Sequence, residues 1–134
     1  MTAEKVVVDP SVVVSLLIQS THSGESMAAR LEGAQLHAPD HLPVEVANVL
    51  RRLRNSVVLT DAEAAIASDG FWSLAIQLWP FEVVAERAWQ LGHNVSCYDA
   101  AYVAIAERLG GALLTSDARL ARATGPECRI ELFE

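Results

Sequence analysis

The chain has 134 residues, 51% of them hydrophobic and 20% charged, which suits one domain with a real core and excludes a disordered segment. Its formal charge is −7, from 17 acids against 10 bases, and this argues against a generally cationic nucleic-acid binder. It does not exclude a nuclease, because an acidic metal site concentrates negative charge where a cation cancels it.

The first expected element is a strand over Lys5–Val8, a short β-branched run that suits a parallel sheet covered on both faces. It stops at Asp9-Pro10. Proline fits the first position of a helix, which makes Asp9 the N-cap of a helix running through Leu16, Leu17 and Ile18. The Val12-Val13-Val14 run has poor helix propensity, so packing must fix it. Ser20–Gly24 reads as a polar loop, and Ser23 or Gly24 begins a second helix ended by Gly33. Gln35–Ala38 is a strand candidate, after which Asp40 is expected to cap a third helix carrying Leu42, Val46, Val49, Leu50 and Leu53. At about 100° per residue those five side chains share one arc. Glu45, Asn48 and Arg52 group on its flank, so Glu45 borders the core.

Thr60-Asp61-Ala62-Glu63 has the form of a capping box opening a fourth helix to about Ser73. Gln77–Phe81 is an ambiguous strand interrupted by Pro80, suited to a sheet edge. A fifth helix covers Val83–Leu91 and stops at Gly92. Next come a helix from about Cys97, a Gly-Gly stop, a strand over Ala112–Thr115, a short helix over Ala118–Ala123 and a final strand over Arg129–Leu132. Strands alternating with helices indicate an α/β sandwich with a mostly parallel sheet.

Asp9 and Asp117 each follow a strand directly, and Asp99 lies in the first turn of a helix. In open α/β sheets the carboxyl ends of the strands form the crevice where ligands bind. Glu45 can reach the same place from the flank of the third helix. Two unit charges ~5 Å apart at an effective dielectric of ~20 repel by about 3 kcal/mol, so four carboxylates there must raise their pKa values or bind a cation. Ligands that are all oxygen point to Mg²⁺ or Mn²⁺. Such a cation supports phosphodiester hydrolysis by activated water. Asp9 and Asp117 are the natural direct ligands, with Asp99 binding directly or through water and Glu45 orienting water or holding a second metal. Ser11, Thr115 and Ser116 offer hydroxyls to orient them, and Arg52 is placed to contact a substrate phosphate.

Three segments, VVVDPSVVVSLL, APDHLPVEVANVLRRL and SCYDAAYVAIAERLGGALLTSDARLA, carry a family likeness in order and spacing over nearly the whole chain. The chain resembles a PIN-domain ribonuclease, and within that family the toxin of a VapBC-type toxin–antitoxin pair. The resemblance implies a three-layer α/β/α sandwich over residues 1–134 as a single PIN-like domain. It implies an acidic quartet of Asp9, Glu45, Asp99 and Asp117, and Mg²⁺- or Mn²⁺-dependent endonucleolytic cleavage of RNA. It also implies a homodimer and inhibition by a cognate antitoxin. Family members often have a small polar residue directly after the first aspartate; here Pro10 stands there, and Ser11 is the nearest hydroxyl.

Each aspartate also has a plainer reading. Asp9 and Asp117 can simply cap the helices that follow, and Ser96-Cys97-Tyr98-Asp99 is itself a capping-box pattern. Capping does not explain four acids arriving together with one family's spacing. A rival function is a catalytically inactive PIN-fold module that acts through a protein partner, but all four acids are present. An aspartyl-phosphate enzyme is a poorer fit, because Asp9-Pro10-Ser11 lacks the Asp-x-Asp of dehalogenase-type phosphatases and Lys5 is the lone lysine, where a receiver needs one late in the chain. Trp72, Trp79 and Trp89 are expected in the core or at a dimer contact. Cys97 and Cys128 form neither a CxxC pair nor a Cys/His cluster, so no zinc site or disulfide framework is expected. No leader pattern or apolar run of membrane-spanning length is evident, and the chain reads as cytoplasmic, with no membrane association.

Overall fold

The computed structural model describes residues 2–18 and 22–133. Among these, five strands alternate with helices in the order β1 (Lys5–Val8), α1 (Pro10–Leu17), α2 (His22–Leu31), β2 (Gln35–Pro39), α3 (Leu42–Asn55), α4 (Asp61–Phe71), β3 (Ile76–Trp79), α5 (Ala85–Gln90), α6 (Cys97–Leu109), β4 (Ala112–Thr115), α7 (Ala118–Arg122) and β5 (Arg129–Leu132). The strands form one sheet in the order β3-β2-β1-β4-β5, and every pair is parallel. The expected mostly parallel sheet is therefore fully parallel.

The strand order explains where a site can form. The chain lays β2 and β3 on one side of β1 and then returns to lay β4 and β5 on the other. Connections leaving β1 and β4 diverge, which opens a crevice at their carboxyl ends. The register pairs Val8 with Leu114, so the residues that follow, Asp9 on one side and Thr115 to Asp117 on the other, face each other across this point.

Helices cover the sheet because its central strands expose no polar face. Val6, Val7, Val8, Leu113 and Leu114 are all fully buried, and burial of each such side chain contributes about 1.5–3 kcal/mol. Helix α6 lies against β1, β2 and β4 and packs with α5, whereas α1 touches β4 and packs with α2, α3 and α4. Seven consecutive residues of α6, Ala100 to Ala106, are buried. A helix buried all round must approach its neighbours closely, and its four alanines make that possible. Ser96 Oγ accepts from the Asp99 N–H at 3.1 Å to start it, and Gly110 ends it in the left-handed conformation at φ 65°.

Most sequence expectations hold at the level of elements, with informative departures. Asp40 does not cap α3: the helix starts at Leu42, so His41 is the N-cap, without a side-chain cap bond, and Asp40 N–H donates to Trp79 O, prolonging the β2–β3 ladder. Strand β3 lies one residue earlier than expected and ends before Pro80, which has no N–H to donate. A 3₁₀ turn over Phe81–Val83 then delays α5 to Ala85. Helix α2 begins at His22, slightly before Ser23, and residues 19–21 of the expected polar loop lie outside the described residues. Trp72 and Trp89 are not in the core, being 71% and 80% exposed. Trp79 is half-buried and donates from Nε1 to His37 Nδ1 at 3.0 Å. Among the described residues, no helix is long and apolar enough to cross a membrane.

Gly111 sits where β4 starts beside β1, and a Cβ there would collide with the Lys5 carbonyl oxygen. Because that backbone contact sets the β1–β4 spacing, Gly111→Ala is expected to lower unfolding stability by about 1–3 kcal/mol in urea titrations followed by circular dichroism. A midpoint equal to wild type would contradict this packing.

Candidate metal and active site

Asp9 is the anchor of the crevice. It is 8% exposed, directly after β1, and its Oδ1 accepts from the Val12 N–H at 3.1 Å as the N-cap of α1. The same oxygen accepts from Ser11 Oγ at 2.5 Å, while Oδ2 accepts from Thr115 Oγ1 at 2.5 Å. Each hydroxyl is itself an acceptor. Ser116 N–H donates to Ser11 Oγ at 3.1 Å, and Asp117 N–H donates to Thr115 Oγ1 at 3.0 Å. Two short relays thus tie the loop after β4 to the carboxylate after β1. Ser11, placed one residue beyond Pro10, makes the hydroxyl contact to Asp9. Ser116 takes part through its backbone N–H.

The other three acids reach this end of the sheet from different elements. Asp117 caps α7, accepting on Oδ1 from Arg119 N–H at 2.9 Å. Asp99 is half-buried in the first turn of α6. Glu45, one turn into α3, accepts on Oε1 from the Tyr102 hydroxyl at 2.6 Å. His41 Nε2 lies 3.5 Å from the same oxygen; it is buried without a hydrogen-bond partner among the described residues.

Glu45 and Asp99 feel the charges of neighbouring acids. Burial is the main cause holding Asp9 above the usual carboxylate range, against hydrogen bonds from Ser11, Thr115 and the backbone that favour its charged form. Burial also pushes Glu45 up, and the charges of Asp99 and Asp9 add to it, opposed by Tyr102 and His41. Asp99 is raised by burial first and then by Asp117 and Asp9, with Ser96 and Arg119 pulling the other way. Burial, followed by the bond to Glu45, pushes the Tyr102 hydroxyl far up, so it remains a donor.

The donor set fits a hard divalent cation by its chemistry: four carboxylates, all oxygen, with three paying an electrostatic penalty for ionisation. As they stand the side chains are spread, and among the described residues no three His, Cys, Asp or Glu groups converge into a ready metal cluster. Asp9, Glu45 and Asp117 each engage a neighbour, and like charges keep apart.

Arg52 is not drawn into this group. It is exposed, seven residues or about two turns beyond Glu45 on α3. Arg119 stands nearer, its Nε 3.8 Å from Asp117 Oδ1 and its side chain 89% exposed. Sequence reasoning passed over three contributors. Tyr102 was legible only as an apolar helix position, although it lies one turn after Asp99. His41 precedes Glu45 by four residues, the spacing of helical neighbours. Arg119 follows Asp117 by two.

Comparison with known proteins agrees with this architecture. The PIN domain family model matches residues 6–126. The chain belongs to the PIN-domain family. Among its relatives, Ribonuclease VapC12 of Mycobacterium tuberculosis is 39% identical over 127 residues, covering 95% of this chain and 98% of that protein. This PIN domain is thus of the VapC kind. The crystal structure of M. tuberculosis VapC20, described as a sarcin-ricin loop cleaving toxin, has a TM-score of 0.63 at 19% identity and covers 92% of this chain and 98% of that one. VapBC2 from Rickettsia felis, bound to a DNA fragment from its promoter, has a TM-score of 0.66 at 12% identity, covering 97% and 99%. These two structures speak to the three-layer α/β/α fold alone.

The raised acids give a signed stability prediction. Asp9, Glu45 and Asp99 hold protons more tightly in the fold than in the unfolded chain, so stability falls as pH rises from the ordinary carboxylate range through their raised values. Asp99→Asn removes one such charge. In EDTA at pH 7 it is expected to melt about 3 °C above wild type, the shift that roughly 1 kcal/mol of solvent-screened repulsion produces in a chain of this size. The advantage should shrink as pH falls toward 4. A lower melting temperature than wild type at pH 7 would contradict the repulsion.

Proposed function

We propose that this chain is the toxin endoribonuclease of a VapBC-type pair, hydrolysing RNA phosphodiester bonds with Mg²⁺ or Mn²⁺ at Asp9, Glu45, Asp99 and Asp117. The observation that supports the reading is that Glu45 on α3 and Asp99 on α6, both raised first by burial, are raised further by carboxylates from the ends of β1 and β4, and Glu45 by Asp99 as well. The names of the VapC ribonuclease relatives support the activity.

A divalent cation bound there would make water a better nucleophile at neutral pH and neutralise charge building on the phosphate. Asp9 and Asp117 would hold it from adjacent strand ends, with Asp99 completing the set from α6. Ser11 and Thr115 orient Asp9 by donating to its two oxygens. Glu45 is suited to receive a proton from the attacking water. Its Oε1 is held by the Tyr102 hydroxyl, leaving Oε2 to point a lone pair, and its raised pKa makes it a stronger base than a free carboxylate. Arg119, exposed beside Asp117, is better placed than Arg52 to meet a substrate phosphate.

The assembly of relatives such as VapBC2 supports a cognate antitoxin as the protein partner. We also read the chain as a cytoplasmic homodimer, and the exposed Trp72 and Trp89 supply apolar surface of the kind that protein contacts cover.

Purified protein with Mn²⁺ or Mg²⁺ is expected to cut a structured RNA internally, and EDTA to stop it. Asp9→Asn or Asp117→Asn should cost roughly a hundredfold or more in rate while leaving the circular dichroism spectrum unchanged. Undiminished cleavage in EDTA, read by end-mapping, would contradict the metal mechanism.

A further inference from the structure

Beside the acidic crevice lies a small cavity that none of the proposed chemistry uses. It holds about 220 Å³ and is lined by His41, Phe81, Cys97 and Tyr98, room for about seven waters and so for one heterocyclic ring system. Three elements build it: the residue that caps α3, the 3₁₀ turn after β3 and the first turn of α6. The lining is three aromatic rings and a thiol. Tyr98 is 63% exposed and Phe81 40%, so both rings present open faces to the cavity mouth. The ring of His41 is packed edgewise between two tyrosines, 5.3 Å from Tyr98 and 5.5 Å from Tyr102, so the wall is held in place.

The cavity adjoins the candidate site through His41. Tyr98 is the chain neighbour of Asp99, and His41 Nε2 lies 3.5 Å from Glu45 Oε1. A strand whose phosphate sits among the four acids must place an adjoining nucleotide close by. Charge then narrows what can hold it. With a net charge of −7, the chain has little general attraction for phosphates beyond single arginines such as Arg119, and that attraction supplies most non-specific nucleic-acid binding. Stacking of bases on aromatic faces needs no positive charge and tolerates any base. A cavity walled by rings beside a phosphate-cleaving centre meets that need.

Resting on the ribonuclease reading above, we propose that the His41–Phe81–Cys97–Tyr98 cavity takes one unpaired nucleobase of the RNA strand next to the scissile phosphate, with the exposed Tyr98 ring as its stacking face. Tyr98 is thereby a specificity-determining residue. It selects unpaired over paired nucleotides, because a base inside a duplex cannot leave its stack without an energetic cost.

Cys97 makes the cavity directly readable. The full chain, carrying Asp117→Asn to prevent cleavage, is alkylated with iodoacetamide and the modification of Cys97 followed by mass spectrometry. Half-buried Cys128, just before β5 and so at the opposite end of the sheet, serves as the internal reference. The probes are a mixed-sequence single-stranded oligoribonucleotide and the same oligonucleotide with abasic sugars, each at equal bound fraction by fluorescence anisotropy. The intact strand should slow Cys97 alkylation about tenfold and leave Cys128 unchanged, whereas the abasic strand should not protect. In otherwise wild-type protein, Tyr98→Ala should raise KM about tenfold or more with kcat largely kept, and Tyr98→Phe should restore it. Equal protection by both strands, protection by neither while both are bound, or an unchanged KM in Tyr98→Ala each overturns the proposal while RNA cleavage by wild type still stands. Protection of Cys97 by a protein partner but not by RNA reassigns the cavity to that partner. If wild type cleaves no RNA with Mg²⁺ or Mn²⁺, the ribonuclease reading fails and the base site fails with it.

Discussion

The buried Asp9 carboxylate, held between the hydroxyls of Ser11 and Thr115, is the constraint on which the rest of the crevice depends. A carboxylate 8% exposed is costly to ionise. The fold offsets that cost with the Val12 N–H and two hydroxyls, and each hydroxyl passes the constraint on to the backbone after β4. One buried acid therefore fixes the loop that carries Asp117. Local structure and site geometry are the same set of hydrogen bonds. The parallel β1–β4 pairing makes this possible by setting the two strand ends side by side.

Around this anchor the molecule accumulates an electrostatic debt. Asp99 and Glu45 enter on helices whose burial is secured by apolar packing, Ala100 to Ala106 on α6 and Leu42, Val46 and Leu50 on α3. The core buries these acids near one another: burial is the main reason that three of them are raised above the carboxylate range, and neighbouring carboxylates add to it for Glu45 and Asp99. Stability is conceded at a site that a cation can relieve, a common arrangement where function requires like charges together. The same negative crevice repels RNA phosphates, so any substrate must be held by the cation, by exposed Arg119 and by contacts that do not depend on charge.

Much of this was legible in the sequence because the signals were local. Asp9-Pro10 reads as a strand end and a helix start, since proline at the first helical position and an aspartate cap serve the same backbone need. Thr60 and Glu63 form the full capping box that their spacing announces. The flank position of Glu45 followed from the wheel of α3. What escaped depended on where an atom finishes after packing. Tyr102 counts as apolar on a wheel and is 1% exposed, yet its hydroxyl emerges at Glu45. Asp40 resembles a cap, but strand pairing runs on through its N–H to Trp79 O and the helix starts only at Leu42, one residue too late for it. Trp72 and Trp89 are as hydrophobic as core residues, and nothing in their neighbours signals exposure. Arg52 shares a flank with Glu45, but two turns of helix separate them.

The dual use of capping ties these threads together. Asp9 and Asp117 do cap α1 and α7, and Asp99 lies in the turn that Ser96 caps, so the plain and the functional readings of the aspartates are compatible. Caps immobilise carboxylates at little cost, and an immobilised carboxylate is what a metal site requires. Manganese binding followed by electron paramagnetic resonance tests the central claim most directly. Wild type should take up Mn²⁺, with affinity reduced roughly a hundredfold in Asp9→Asn and in Asp117→Asn. Absence of uptake at millimolar Mn²⁺, or uptake unchanged by both substitutions, would contradict a divalent-metal site built on these acids.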